Sequence, residues 1–383
     1  MPSDPEGELA ALIPRLVGEW RVHFLDNLRS FVIVLVVLHH VALSFGGVGY
    51  WYYVSPYPVS NVSKAVLTLF VALNQTFFMG LMFFIAGHFS SIAVERKAWG
   101  VFCIDRLKRL GIPIVVYTFA IHPLVVVLLN RGSVWTALRH YYLNLDRVQG
   151  PIWFIALLLV FDVIYATTKL FIPSFGFLIP SSYSQYRLAA LLGISTVIIC
   201  TFSVRLSFPL GTHIPVMALE PGYTPQYVLA YISGCSLSKI QQYMLFRDPR
   251  RALALSYLGA ILSAAIISGI GAALAIPVTY AGGMNPFALS YAIWHETCFY
   301  FLGTAWFSLF HDSERTTEKW GTTARYSYGA YIVHSVVVVW LQILLDSRLD
   351  GILKTVIVGV PAIVLSWAVS WVLVQIPFVG AII

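Results

Sequence analysis

Ten apolar stretches, each about long enough to cross a bilayer, constrain the fold of this 383-residue chain most strongly. A transmembrane helix needs roughly 20 mostly apolar residues. Only 11% of the residues are charged, against about 25% in ordinary soluble proteins. The pattern therefore predicts an all-α polytopic membrane protein, with about ten transmembrane helices in one bundle. The helices are predicted near 28–46, 64–93, 111–130, 152–172, 188–205, 225–239, 252–276, 286–310, 326–345 and 353–376.

Charge along the chain predicts its orientation in the membrane. Residues 1–22 are predicted to form a cytoplasmic tail, and 23–383 a single membrane domain. The tail with Arg29 and the loops on the same side hold 17 of the 24 Lys and Arg residues. Such an excess marks the cytoplasmic side, which predicts cytoplasmic termini. It also accounts for the net charge of +7, so the predicted partner is the lipid bilayer and not nucleic acid.

The first apolar stretch carries ionisable residues, which are rare within membrane helices and usually functional. Arg29 and His40 are eleven residues apart, which is about three helical turns, or roughly 16 Å along one face. Asp26 falls within about 40° of the same stripe. His39 points about 100° away, so we expect it to have a structural role.

Three histidines and one carboxylate are predicted to lie at similar depth. His40, His122 and His334, counted from the cytoplasmic ends of their helices, fall roughly 12–18 Å into the membrane, and Glu296, counted from the other side, falls near the same level. They are therefore candidates for one converging site near the midplane. Their spacing does not match the His-Glu-x-x-His pattern of a metalloprotease, and the four cysteines are scattered singly. No metal is predicted.

Structural roles remain open for three of these four residues. His122 precedes Pro123, so its ring could instead bond a carbonyl group freed by the proline. His334 is equally compatible with packing and with a site. The carboxylate of Glu296 could pair with Arg187 or Arg205 and not contact a substrate.

A basic cluster precedes the third helix, where Arg106 and Arg109 are three residues apart. Arginines at this helical spacing share a face and can bind phosphate oxygens together. The same cluster could simply signal topology. Nearby, Gly87, Gly111 and Pro113 are predicted to mark helix ends or breaks that let backbone line a cavity.

The ordered set of motifs resembles the acyltransferase-3 family of integral membrane acyltransferases. The first helix is most similar to the branch that contains glucans biosynthesis protein C. The resemblance covers about residues 22 to 380. It rests on FLDNLRSFVIVLVVLHHVA with Arg29 and His40, FFIAGHFS at 83–90, the Arg106-x-x-Arg109 pair, PIWFIALLLVFDVIY at 151–165, PQYVLAYISGCSLSK at 225–239 and SYGAYIVH at 327–334.

This resemblance implies an enzyme that moves an acyl group from cytoplasmic acyl-CoA, its co-substrate, to a hydroxyl of a sugar, lipid or small natural product. His40 is the expected general base, because a neutral imidazole can take a hydroxyl proton near neutral pH. Family members often append an extracytoplasmic hydrolase-like domain, and its absence here favours a lipid-soluble acceptor. The remaining candidate catalytic residues are Asp26, Glu296 and His334. The candidate donor-binding residues are Arg29, Arg106 and Arg109.

Two other functions fit the residues. A membrane terpene cyclase could use Asp26 or Glu296 as its acid and stabilise a cation on aromatic faces, since a fold does not fix a function. A carrier could use the deep histidines as a proton relay without forming a bond. A cyclase would turn over without acyl-CoA, and a carrier would leave its substrate chemically unchanged.

Overall fold

A computed structural model describes residues 23–145, 150–172, 180, 182–214, 218–273 and 279–382. The predicted tail at 1–22 lies outside these ranges. The helices are α1 His23–Ser44, α2 Asn61–Arg96, α3 Trp99–Leu129, α4 Val134–Asn144, α5 Ile152–Phe171, α6 Tyr183–Ser207, α7 Thr224–Cys235, α8 Leu237–Met244, α9 Pro249–Ala273, α10 Pro286–Asp312, α11 Glu314–Thr317, α12 Thr323–Leu345, α13 Gly351–Val374 and α14 Pro377–Ile382.

The prediction of an all-α membrane protein is confirmed. Within the described residues the only β pairing is a single bridge between Ile214 and Leu219. Eight of the described helices are long and apolar enough to cross a membrane: α1, α2, α3, α5, α6, α9, α12 and α13. The predicted helix near 225–239 is instead α7 and α8, separated by a break at Ser236. Twelve residues give α7 a length of only about 18 Å, too short to span alone.

Helix starts follow from local sequence. Ser60 caps α2 by accepting a hydrogen bond from the Ser63 backbone N–H. Asn285 caps α10 in the same way through Ala288, and Pro286 occupies the first helical position, where its missing N–H costs nothing. These caps satisfy donors that would otherwise be orphaned at the helix ends.

The helices differ in how deeply they are packed. Within the most apolar window of each helix, 61% of α1, 72% of α2 and 61% of α12 is buried, against 11% of α6 and 6% of α9. α12 packs on α13 and α1, while α2 packs on α7, α1 and α10. The polar residues considered below therefore lie among the central helices.

Two prolines interrupt the regular hydrogen bonding of α3. Pro113 and Pro123 each follow a π-helical turn, Leu107–Gly111 and Tyr117–Ile121. A proline within a helix removes one N–H and crowds the carbonyl four residues earlier. Those two carbonyls, of Arg109 and Phe119, accept hydrogen bonds from the Tyr328 and Tyr142 hydroxyls at 2.8 and 2.9 Å. Tyr142, and not His122, therefore satisfies the carbonyl group freed by Pro123.

Gly87 lies within continuous helix, contrary to the predicted break. A Cβ atom there would overlap the carbonyl oxygen of Tyr231 on α7, and a Cβ on Gly234 would overlap that of Phe84 on α2. The two glycines let the α2 and α7 backbones touch, as small residues do at membrane helix interfaces.

Candidate active site

His40 on α1 and His334 on α12 are in direct contact. A hydrogen bond of 3.0 Å connects Nδ1 of His40 and Nε2 of His334. Nδ1 of His334 lies 2.5 Å from the Tyr331 carbonyl oxygen. His334 is fully buried and occupies the centre of α12, whereas His40 lies four residues before the end of α1.

These contacts fix the tautomers of two neutral rings. A carbonyl oxygen only accepts hydrogen bonds, so Nδ1 of His334 carries its proton and donates to Tyr331. Nε2 of His334 must then accept, and Nδ1 of His40 donates to it. The lone pair of His40 therefore lies on Nε2, where it is available to receive a proton.

Trp51 holds the His40 ring by stacking on it. The ring centroids lie 4.0 Å apart and the planes differ by 15°. The indole N–H donates to Oε1 of Gln342 on α12 at 3.1 Å, and the Gln342 amide donates to the His40 carbonyl oxygen at 3.4 Å. One glutamine thus links Trp51 to the helix that bears His40.

The loop that carries Trp51 is anchored at the turn between α12 and α13. Asp346 accepts hydrogen bonds from Tyr53 at 2.7 Å and from Ser55 at 3.1 Å. The ammonium of Lys354, which is buried, lies 3.1 Å from the same carboxylate and 2.8 Å from Ser55. Burial raises the pKa of Asp346, but these three hydrogen bonds outweigh it and hold the pKa below its usual value.

A second acidic residue at this turn anchors the end of the same loop. Asp350 accepts hydrogen bonds from the hydroxyls of Ser60 and Ser63 at 2.8 and 2.6 Å, and from the Ser60 backbone N–H at 3.1 Å. These bonds hold the pKa of Asp350 below its usual value.

His122 lies in an aromatic group beside the pair. Its ring packs against Tyr52, Tyr117 and Tyr141, with centroids 5.7, 5.9 and 5.1 Å away. The Tyr117 hydroxyl is 3.0 Å from that of Ser335, the neighbour of His334. Three tyrosines therefore surround His122, next to the pair of His40 and His334.

The predicted stripe on α1 faces α12 at both ends. Arg29 forms an ion pair with Asp26 at 3.1 Å and donates to the Ala324 carbonyl oxygen of α12 at 3.2 Å. His40, three turns later, contacts His334 of the same helix. His39 packs instead against Phe78 on α2, as its different angle on the helix requires.

Arg106 and Arg109 occupy different surroundings. Arg106 pairs at 2.9 Å with the fully buried Asp162 of α5 and donates to Ser90 at 3.0 Å. The same carboxylate accepts from Ser90 and Tyr231 at 2.6 and 2.7 Å. Arg109 is exposed. The π-helical turn that begins at Leu107 breaks the spacing that would place both arginines on one face.

Glu296 belongs to a separate cluster. It accepts hydrogen bonds from Thr201 at 2.9 Å and from Gln226 at 3.1 Å, and it lies 3.2 Å from its neighbour His295. No ion pair with Arg187 or Arg205 occurs within the described residues. Of the four groups expected to converge, the structure therefore joins only His40 and His334 directly.

Several groups in these networks were not anticipated. These groups form the ion pair and hydrogen bonds given above, and they are Asp162, Trp51, Gln342 and Lys354. Asp162 could have been predicted from the sequence, since a carboxylate inside the apolar run at 151–165 needs a partner. In the part of the chain that the structure describes, no group of three or more His, Cys, Asp and Glu side chains is arranged to hold a metal ion.

An apolar groove of about 840 Å³ opens between α9 and α10. It is lined by residues between 246 and 267 and, on α10, by Ser290, Ile293, Trp294, Thr297, Cys298 and Phe301. The candidate catalytic residue Glu296 is not part of this lining. The groove is therefore distinct from the histidine pair.

The fold and the part-buried imidazole pair together define an integral membrane helical protein with a site that can accept a proton. A family model described as an acyltransferase domain matches residues 22–371. The chain thus belongs to the acyltransferase-3 family and is a membrane acyltransferase. Comparison with curated proteins and with solved structures gives no significant match.

Proposed function

We propose that the protein transfers an acyl group from cytoplasmic acyl-CoA to a hydroxyl of a lipid-soluble or sugar acceptor, with His40 as general base. The observation that carries this proposal is the ordered series Tyr331, His334 and His40, which leaves the lone pair on Nε2 of His40. A general base must present an acceptor atom in a fixed direction, and Trp51 holds the ring that bears it.

The reaction follows from this arrangement. Nε2 of His40 takes the proton of the acceptor hydroxyl as its oxygen attacks the thioester carbonyl carbon. The tetrahedral intermediate then collapses, the carbon–sulfur bond breaks, and the imidazolium returns the proton to the departing CoA sulfur. An ester and free CoA result. His334 acts as a positioning residue, because its Nε2 accepts a hydrogen bond from Nδ1–H of His40 throughout the reaction.

The donor would enter past the basic cytoplasmic rim. Arg109 is exposed and can bind CoA phosphates as a charge-assisted partner. The Arg29 side chain is 28% exposed beside Asp26, and it stands about 16 Å below His40 along α1. Arg106 is already paired with Asp162. Arg109 is therefore the stronger candidate of the two for binding the donor.

The cyclase alternative receives less support. Asp26 and Glu296 both act as acceptors in this structure, from Arg29 and from Thr201 and Gln226 respectively. A cyclase acid must instead donate a proton to its substrate.

The experiment is mass spectrometry of lipid and small-molecule extracts from cells that produce either the natural chain or His40→Ala. We expect an unacylated precursor to accumulate in the variant and its acylated product to disappear, which would identify acceptor and acyl group together. Unchanged extracts, with the variant present in the membrane, would contradict the proposal.

A further inference from the structure

A second buried polar cluster lies where α6, α7 and α10 meet, away from the histidine pair. It contains Thr201 and Arg205 from α6, Gln226 from α7, and His295 and Glu296 from α10. Four of these side chains are completely buried, and Glu296 is 1% exposed. Several hydrogen-bonding atoms of these side chains have no partner in the part of the chain that the structure describes.

Arg205 contributes two of these atoms. Its Nε donates to the Gly222 carbonyl oxygen at 3.1 Å, and its guanidinium lies 5.2 Å from the ring centroids of both Tyr223 and Tyr291. Nη1 and Nη2 have no hydrogen-bond partner among the described residues. Buried cationic donors without a partner are costly. The planar pair of nitrogens matches the two oxygens of a carboxylate.

Gln226 and His295 contribute two acceptors. The Gln226 amide nitrogen donates to Thr76 and Glu296 at 3.0 and 3.1 Å, which leaves its Oε1 without a donor. Nδ1 of His295 lies 3.2 Å from the Glu296 carboxylate. Because a carboxylate oxygen accepts, Nδ1 carries the ring proton, and Nε2, which has no hydrogen-bond partner among the described residues, is an acceptor.

The side chains with unpartnered atoms are neighbours around two tyrosine rings. The His295 ring packs against Tyr223 and Tyr291 at 5.0 and 5.9 Å, the same two rings that hold Arg205. Its Nδ1 is 3.3 Å from the Gln226 amide. A ligand that pairs with Arg205 and with one of the two acceptors needs a carboxylate for Arg205 and a hydroxyl that donates to Gln226 or His295.

We propose that this cluster is a binding site for a small hydroxycarboxylate. The carboxylate binds Nη1 and Nη2 of Arg205, and the hydroxyl donates to Oε1 of Gln226 or Nε2 of His295. Binding is non-covalent and does not depend on acyl transfer by His40. Failure of either proposal is therefore visible without the other.

The test is thermal unfolding of the purified full-length protein in detergent with matched probes. Glycolate carries both groups, acetate only the carboxylate and ethylene glycol only hydroxyls. A ligand that binds the folded state raises the melting temperature with concentration. We expect glycolate to stabilise more than acetate, and ethylene glycol to have no effect, at matched concentration and ionic strength. Equal effects of all three probes would mean that only water satisfies these atoms, and would overturn the proposal.

Variants locate the effect. Arg205→Lys keeps the charge but not the paired nitrogens, and we expect glycolate affinity to fall about tenfold with loss of one charge-assisted bond. His295→Phe keeps an aromatic ring, and we expect it to reduce the advantage of glycolate over acetate. Arg187→Gln, at an exposed position on the same helix, is the control and should change neither. Equal glycolate affinity in Arg205→Lys and in the natural chain would overturn the assignment.

Discussion

Among single residues, the general-base role of His40 depends on how His334 orients its ring. His334→Ala removes the acceptor at 3.0 Å from Nδ1 of His40, so the proton of His40 is free to move to Nε2. We expect kcat to fall about 100-fold, at the lower end of what general-base catalysis contributes, with KM for acyl-CoA unchanged. Steady-state kinetics over pH 5–9 check this. A lower kcat with an unshifted pH profile would indicate packing alone.

Arg106 and Arg109 should respond differently to substitution. Arg109→Ala removes an exposed cation, and we expect KM for acyl-CoA to rise about tenfold, as for loss of one charge-assisted bond, with stability unchanged. Kinetics with varied acyl-CoA measure this. An unchanged KM would leave topology signalling as the role of Arg109.

Arg106→Ala should instead affect folding, because it leaves the fully buried Asp162 without its cation. Breaking a buried pair costs about 3–5 kcal/mol. Removing both charges with Arg106→Gln and Asp162→Asn should recover part of that loss. Unfolding in detergent compares the variants, and equal stability of Arg106→Ala and the natural chain would contradict the structural role.

At the scale of elements, the loop between α1 and α2 connects the α12–α13 turn to the site. Asp346→Asn should weaken the bonds from Tyr53 and Lys354 and let Trp51 move from His40. We expect lower stability together with lower kcat. Asp350→Asn is the matched control, since its partners Ser60 and Ser63 lie at the start of α2, farther along the chain from Trp51. Equal kcat in both variants would separate the loop from catalysis.

Asp346 also predicts a pH dependence of stability. Its pKa is lower in the folded chain than the ordinary value of about 3.9. The stability that it contributes is therefore fully present above about pH 4 and is lost as the pH falls through its folded pKa. Unfolding of the natural chain and of Asp346→Asn between pH 7 and pH 3 checks this. The difference between them should shrink at the acid end, and a constant difference would contradict the assignment.

Sequence predicted the elements better than the contacts between them. Apolar length located nine of the ten predicted helices but missed the break at Ser236 that divides the interval 225–239. Helical periodicity placed Arg29 and His40 on the face of α1 that contacts α12. The pairing of Arg106 with Asp162 was missed because it joins two helices and follows a π-helical turn. Trp51 was missed because it lies in a loop, where no periodicity shows which way a side chain faces.

At the scale of the whole molecule, charge asymmetry predicts that both termini are cytoplasmic. Single cysteines introduced in a cysteine-free background test this with a membrane-impermeant maleimide on intact cells. Met284→Cys, at a site 80% exposed before α10, should react. Lys319→Cys, exposed between α11 and α12, should react only after permeabilisation. The reverse pattern would contradict the orientation and the route proposed for the donor.

In the proposed reaction His40, and not its neighbour His39, removes the proton of the acceptor hydroxyl. The most direct measurement is single-turnover transfer of a radiolabelled acyl group from acyl-CoA in membranes that contain His40→Ala or His39→Ala at equal amounts. We expect His40→Ala to slow transfer by at least 100-fold. His39→Ala, which removes ring contacts with Phe78 and with His40 but leaves the hydrogen bond between His40 and His334 in place, should retain most of the rate. Equal rates in the two variants, or faster transfer in His40→Ala, would contradict the account.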